Sequence, residues 1–340
     1  MRDTVAERPA AADYTARVFP PIEPFESGYL AVGDGHQIYW EASGRPDGIP
    51  ALYLHGGPGS GLTPGYRRLF DPDVFQIVSF DQRGCGRSHP LVTEEGADLS
   101  TNTTAHLVAD IEALRAHRGV DRWLVTGASW GTTLALAHAQ AHPARVTELI
   151  LFAVTTTTAA EVQWITEAMG NVFPREWDQF ASAVERRPGQ RLIDAYYDAI
   201  TDPDPQVRER TAAAWCAWED VHVSLAPDHR PSPRFEDPQF RQVFATLVIH
   251  YWKHAAFTGN RDLHDGVHRL EGIPGVLIHG RLDVSSPLRT AWRLHRAWPG
   301  SRLVVADDGH GGEDMAAAVR AAIAEYASRF GDPAGRSGLS

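Results

Sequence analysis

Trp123-Leu124-Val125-Thr126-Gly127-Ala128-Ser129-Trp130-Gly131-Thr132-Thr133-Leu134 is the stretch that decides how this chain folds. Trp123–Thr126 is a short apolar run with strand character, and Thr132–Gln140 has helical composition. Between them a Gly-x-Ser-x-Gly turn must join strand to helix. So tight a connection strains the central residue and leaves room only for small residues beside it. It also lifts the Ser129 hydroxyl above a sheet edge. A helix N-terminus then lies behind it to stabilise developing negative charge. The stretch predicts a parallel sheet with a nucleophilic serine at its C-terminal edge.

Working outward, the strands before this point are Gly28–Val32, Gln37–Ala42, Ala51–Leu54 and Phe75–Phe80. Those after it are Leu149–Phe152, Gly275–Ile278 and Arg302–Val305. The first pair flanks Gly33-Asp34-Gly35 and reads as a hairpin. The later runs are apolar almost throughout, as expected of parallel strands covered on both faces. Thr104–Arg118 places Leu107, Ile111 and Leu114 on one helical face and stops at Gly119. Further helices fall around Leu288–Ala297 and over Glu313–Arg329, the latter with Met315, Val319, Ile323 and Tyr326 on one face. The class is α/β, a mainly parallel sheet with helices on both faces.

From about Val154 to Gly266 the alternation stops. The sequence there is helical, broken by proline, and holds Trp164, Trp177, Trp215, Trp218 and Trp252, half of the 10 tryptophans. The expected partition is a first core segment 1–157, an inserted helical cap 158–266, a second core segment 267–331, and a disordered Gly/Ser-rich tail 332–340.

The 340 residues are 43% hydrophobic and 22% charged, enough for a sizeable core. Asp and Glu number 43 against 32 Lys and Arg, a net charge of −11 that disfavours nucleic acid and anionic membranes as partners. The two cysteines, Cys85 and Cys216, are too few for a disulfide framework, so a reducing compartment is expected. The N-terminal MRDTVAERPAAADY has no apolar stretch of a signal peptide, and no run approaches the length of a transmembrane helix. The expectation is a soluble, acidic, cytoplasmic globular protein, an enzyme or a binding protein, with a small peptide or small molecule as its partner.

A serine needs an oriented base, and in folds of this kind the order is Ser, then Asp or Glu, then His. Asp283 follows the strand Gly275–Ile278, and His310 follows Arg302–Val305 within a Gly-rich loop. The expected roles are Ser129 as nucleophile, His310 as base then acid, and Asp283 orienting the imidazole. Asp307 and Asp308 are weaker rivals, being too close to His310 in sequence. His55-Gly56-Gly57-Pro58-Gly59 follows another strand. Its glycines let backbone amides approach a substrate, so the oxyanion donors are assigned to the N–H groups of Gly57 and Trp130. The loop has neither the spacing nor the lysine of a nucleotide loop.

Asp81–Ser88 is expected to support the site, and Cys85 has no base placed for it. The pairs His138/His142, His250/His254 and His264/His268 show no H-E-x-x-H pattern or third ligand. Neither metal nor cofactor is expected.

Taken together these motifs resemble the proline iminopeptidases of the α/β-hydrolase superfamily. The matching residues are HGGPG at His55–Gly59, FDP at Phe70-Asp71-Pro72, DQRGCGRS at Asp81–Ser88 and NTT at Asn102–Thr104. They continue with DIEALR at Asp110–Arg115, GASWGTTLALA at Gly127–Ala137, HGRLD at His279–Asp283 and DGH at Asp308–His310. The resemblance runs from about Phe19 to Phe330 and puts that family's triad on Ser129, Asp283 and His310. It implies a cap that recognises a free N-terminal amine through glutamates. One follows a W-x-x-W pair, matched by Trp215-Cys216-Ala217-Trp218-Glu219, so Glu219, Trp218 and Trp252 are the implied substrate-binding residues. The second glutamate position holds Val248, and Thr155 replaces a pocket aromatic. The implied activity is release of an N-terminal residue, preferentially proline. The alternative is hydrolysis of an ester, amide or lactone without a free amine.

Overall fold

All eight expected strands form, and they join one sheet. The computed structural model of the chain describes residues 18–223, 225, 230–259 and 262–331. The predicted tail 332–340 lies outside the described residues. In chain order the elements begin with β1 (Pro24–Gly33), β2 (His36–Gly44), β3 (Ile49–Leu54), β4 (Phe75–Phe80), α1 (Thr104–His117), β5 (Trp123–Ala128), α2 (Trp130–Ala141) and β6 (Val146–Phe152). Five helices follow: α3 (Ala159–Thr166), α4 (Pro174–Ser182), α5 (Leu192–Ile200), α6 (Pro205–His222) and α7 (Pro238–Lys253). The chain then returns to the sheet with β7 (Gly275–Gly280), α8 (Arg289–Ala297), β8 (Ser301–Ala306) and α9 (Glu313–Gly331).

The strand order is β1-β2-β4-β3-β5-β6-β7-β8. β2 pairs antiparallel with both β1 and β4, and every later pairing is parallel. The central strands are covered on both faces because alternate side chains enter different cores. Trp123 and Val125 of β5 join Leu107, Ile111 and Leu134 on one face, whereas Leu124 joins Met315, Val319 and Ile323 of α9 on the other. Helices α1 and α2 therefore cover one face and α9 the opposite one.

Helices α3 to α7 lie between β6 and β7 in the chain and bury an apolar cluster of their own. Met169, Phe180, Leu192, Tyr196, Trp215, Trp218, Val248 and Ile249 are in it. Burying side chains of this size contributes about 1.5–3 kcal/mol each. Helix α7 is shared: Phe244, Val248 and Ile249 face this cluster, while Val243, Leu247 and Tyr251 face the sheet-side core. Its docking is also polar. Tyr251 Oη donates to Asn102 Oδ1 at 2.6 Å, and His250 Nε2 lies 2.9 Å from the Asn102 carbonyl. Burial pushes His250 down to about 4, so the ring is neutral and Nε2–H donates.

Candidate active site

The site grows from the turn after β5. Ser129 has φ 53° and ψ −123°, a strained conformation for a residue with a side chain. Its amide donates to the Phe152 carbonyl at 3.0 Å, and its own carbonyl accepts from Thr132 N–H at 2.7 Å. The glycines on either side are steric requirements. A Cβ on Gly127 would lie 2.3 Å from the Gly131 carbonyl oxygen, and one on Gly131 would lie 2.2 Å from that of Leu54.

Ser129 Oγ sits 2.8 Å from His310 Nε2, and His310 Nδ1 sits 2.7 Å from Asp283 Oδ2. Three loops, after β5, β7 and β8, thus converge in one hydrogen-bonded chain. Asp283 is buried, and its other oxygen accepts from Ser286 N–H at 2.9 Å. Burial alone would raise this carboxyl, but His310 beside it holds it below the ordinary aspartate value. Burial likewise opposes the His310 imidazolium. Asp283, and to a lesser extent Glu219, overcome that and hold His310 above the ordinary histidine value. The nearby aspartates are engaged elsewhere: Asp307 pairs with Arg281, and Asp308 accepts from Met315 N–H at the start of α9.

The loop after β4 braces the loop after β3. Gln82 donates through Nε2 to the His55 carbonyl at 3.0 Å and accepts from Trp130 Nε1–H at 2.9 Å. The Asp81 carboxylate gathers Leu62 N–H, Arg87 N–H and Arg87 Nε–H. Arg83 grips Asp110 of α1 with two bonds of 2.7 and 2.8 Å. One side chain of this loop, Gln82, therefore links the two segments that carry Gly57 and Trp130. Cys85 lies 3.8 Å from His55 Nε2, but that nitrogen accepts from Gln82 N–H. Burial pushes the Cys85 thiol well up, so no thiolate forms there.

A small, partly open cavity lies in front of Ser129. Gly57, Trp130, His310, Thr155, Trp252 and Glu219 line it, together with Glu161, Val162, Ile165, Ser285 and Ser286. Glu219 Oε2 is buried, and among the described residues it has no hydrogen-bond partner. Such an oxygen is costly unless a ligand satisfies it.

Two sequence-derived positions fall elsewhere. Trp218 does not line the cavity; it stacks on Phe180 with ring centroids 5.1 Å apart, inside the helical cluster. Successive helical residues point about 100° apart, so with Glu219 turned inward Trp218 is turned away. Val248 is fully buried in the same cluster.

The sequence reading missed Glu161. Its carboxylate accepts from Thr156 Oγ1–H (2.8 Å), Thr158 N–H (2.8 Å) and Thr290 Oγ1–H (2.8 Å). The T-x-x-E spacing at Thr158–Glu161 marks a capping box, which the sequence does display. That this box faces Ser129 is a tertiary fact. Among the described residues no group of three or more His, Cys, Asp or Glu could hold a metal ion. No helix among them is long and apolar enough to cross a membrane.

The profile of the alpha/beta hydrolase fold matches residues 50–312. A probable proline iminopeptidase of Streptomyces coelicolor is 48% identical over 301 residues, covering 86% of this chain and 92% of that one. The chain belongs to the proline iminopeptidase family of α/β-hydrolases. Proline iminopeptidases of Arabidopsis thaliana and Neisseria gonorrhoeae are each 41% identical, covering 86% and 85% of this chain and 77% and 91% of theirs. Among solved structures, VinJ superposes with a TM-score of 0.66 at 17% identity, covering 90% of this chain and 99% of that one. The Mycobacterium smegmatis proline iminopeptidase gives 0.59 at 21%, covering 90% and 100%. At those identities the superpositions speak for the α/β-hydrolase fold, and family membership rests on the sequence relatives.

Proposed function

We propose that this member of the proline iminopeptidase family is a serine aminopeptidase that releases an N-terminal residue, preferentially proline, from small peptides. The observation that carries the reading is Glu219: a buried carboxylate oxygen, without a hydrogen-bond partner among the described residues, in the wall of the cavity that holds Ser129 and His310. In so poorly solvated a setting a carboxylate attracts a substrate ammonium more strongly than at a surface. Residues 158–266 act as the cap that carries this recognition. Trp252 and Thr155 shape the pocket, and Trp218 backs Glu219 without touching substrate.

The chemistry follows from the hydrogen-bonded chain. Ser129 Oγ attacks the scissile carbonyl carbon as His310 Nε2 takes its proton, while Asp283 holds the Nδ1–H. Negative charge moves to the carbonyl oxygen, where the Gly57 and Trp130 amides donate to it; a donor of this kind is worth about 3–4 kcal/mol. His310 then returns the proton to the leaving nitrogen, the C–N bond breaks, and an acyl-Ser129 ester remains. Water, deprotonated by His310, hydrolyses that ester and restores the serine. No cofactor enters the scheme. The free buried thiols of Cys85 and Cys216 suit a cytoplasmic setting.

One observation favours a second reading, the hydrolysis of an ester, amide or lactone lacking an amine: Val248 brings no charge to the cavity. The two are separated by assaying proline and alanine arylamides beside short acyl esters, with Ser129→Ala as control. Arylamide turnover lost in Ser129→Ala is the expected result. Ester turnover without arylamide turnover would remove the aminopeptidase.

A further inference from the structure

We infer that His222 is a positioning residue for Glu219, holding the carboxylate ready for the substrate ammonium; the inference rests on the aminopeptidase reading. Glu219 and His222 lie one turn apart near the end of α6. Their facing atoms, Oε2 and Nε2, are 3.3 Å apart. His222 is fully buried, and among the described residues neither of its ring nitrogens has a hydrogen-bond partner. The same holds for Glu219 Oε2 and for Trp218 Nε1, whose ring lies edge-on to the imidazole with centroids 5.3 Å apart. Buried polar atoms are almost always paired, and each one left unpaired costs about 1–3 kcal/mol. Four orphans gathered on one helical turn mark a place completed when something binds.

The division of labour follows from position. Glu219 lines the cavity and His222 does not. The imidazole is fully buried and stands outside the cavity lining, within 3.3 Å of the carboxylate. At 3.3 Å the two atoms are already within hydrogen-bond distance but poorly aligned, so a small rotation of the ring or carboxylate turns the approach into a hydrogen bond from Nε2–H to Oε2. That bond fixes the carboxylate rotamer and leaves its remaining lone pairs to the ammonium. Outer partners of this kind orient a ligating group without touching what it binds. The arrangement gives the Glu219 carboxylate a rigidity that Val248 cannot supply, while the other carboxylate of the cavity wall, Glu161, is held by its threonine donors.

The test compares His222→Phe, which keeps a ring but removes the donor, with His222→Gln, which keeps a donor. A prolyl arylamide and a short acyl ester are the substrates. We expect His222→Phe to raise KM for the arylamide about tenfold with kcat nearly unchanged, ester kinetics to stay put, and His222→Gln to recover most of the loss. Equal losses on both substrates, or no change in KM, would overturn the assignment.

Glu219→Gln is the reference arm. If it raises the arylamide KM while His222→Phe is silent, the aminopeptidase stands and His222 drops out. Absence of arylamide turnover in the wild type removes both. Should the Phe variant fail to fold, the wild type still decides. Its His222 ring resonance, assigned by its loss in His222→Gln, must move when prolinamide is added; an unmoved resonance overturns the inference.

Discussion

A methyl group at Gly131 would meet the Leu54 carbonyl oxygen at 2.2 Å, and backbone cannot yield as a flexible side chain can. Gly131→Ala is therefore expected to destabilise the fold by about 1–3 kcal/mol or more, read as a lowered Tm. Asp283→Asn should leave the fold intact but lower kcat by about 10⁴, because the imidazole loses the partner that fixes its tautomer. His310 must be neutral to take the serine proton, and its pKa is raised. Activity is therefore lost as pH falls through a value above the roughly 6.5 of an ordinary histidine. Glu219→Gln removes one of the charges that raise it, so the acidic limb of kcat/KM for an ester should move to lower pH; a limb that stays in place would disconnect Glu219 from His310.

The residues of the hydrogen-bonded chain were legible because each follows an apolar strand, and parallel strands deliver their ends to one edge. Gln82 was not legible as a bridge. Its two contacts, to His55 and Trp130, are 27 and 48 residues away, and no local pattern encodes them.

Among the helices, α3 shows how much a short motif conveys. Thr158 and Glu161 close a capping box, and Glu161 also accepts from Thr290 in the first turn of α8, 129 residues later. Glu161→Ala should cost more than the roughly 1 kcal/mol of an ordinary cap, since it strands several threonine donors as well. Urea denaturation checks this: a loss under 1 kcal/mol would mean that water replaces the carboxylate freely. The box is written in four consecutive residues, but its tie to α8 depends on how two distant segments pack. Helix α6 teaches the same lesson in reverse. The motif Trp215–Glu219 pointed to both Trp218 and Glu219, and helical geometry lets only one of them face the cavity.

For the whole molecule, α7 is the element on which the two apolar clusters meet. Its docking bond from Tyr251 to Asn102 is buried. Tyr251→Phe should lower stability by about 1–2 kcal/mol, because it leaves Asn102 Oδ1 without its donor. Chemical denaturation followed by tryptophan fluorescence would show it, half of the tryptophans lying in residues 158–266. The strands along the chain and the helical insertion were readable from the pattern of the sequence, since alternation of strand and helix breaks off near Val154 and resumes at Gly275; the order of the strands within the sheet was not read there. Which helix carries the junction was not readable, for α7 is apolar on both sides and periodicity assigns it no single face.

The backbone amide of His310 donates to the Val223 carbonyl at 2.9 Å, just past the end of α6. The segment proposed to select the substrate therefore also holds the loop of the proposed general base. Any residue can supply that carbonyl, so the requirement leaves no signature in side-chain identity. A chimera built by exchanging this insertion between relatives would need to preserve where the helix ends, to within one residue, and not merely what it is made of. Grafts that alter the length of α6 should lose turnover on every substrate at once, whereas grafts that keep it should alter only which substrate is chosen.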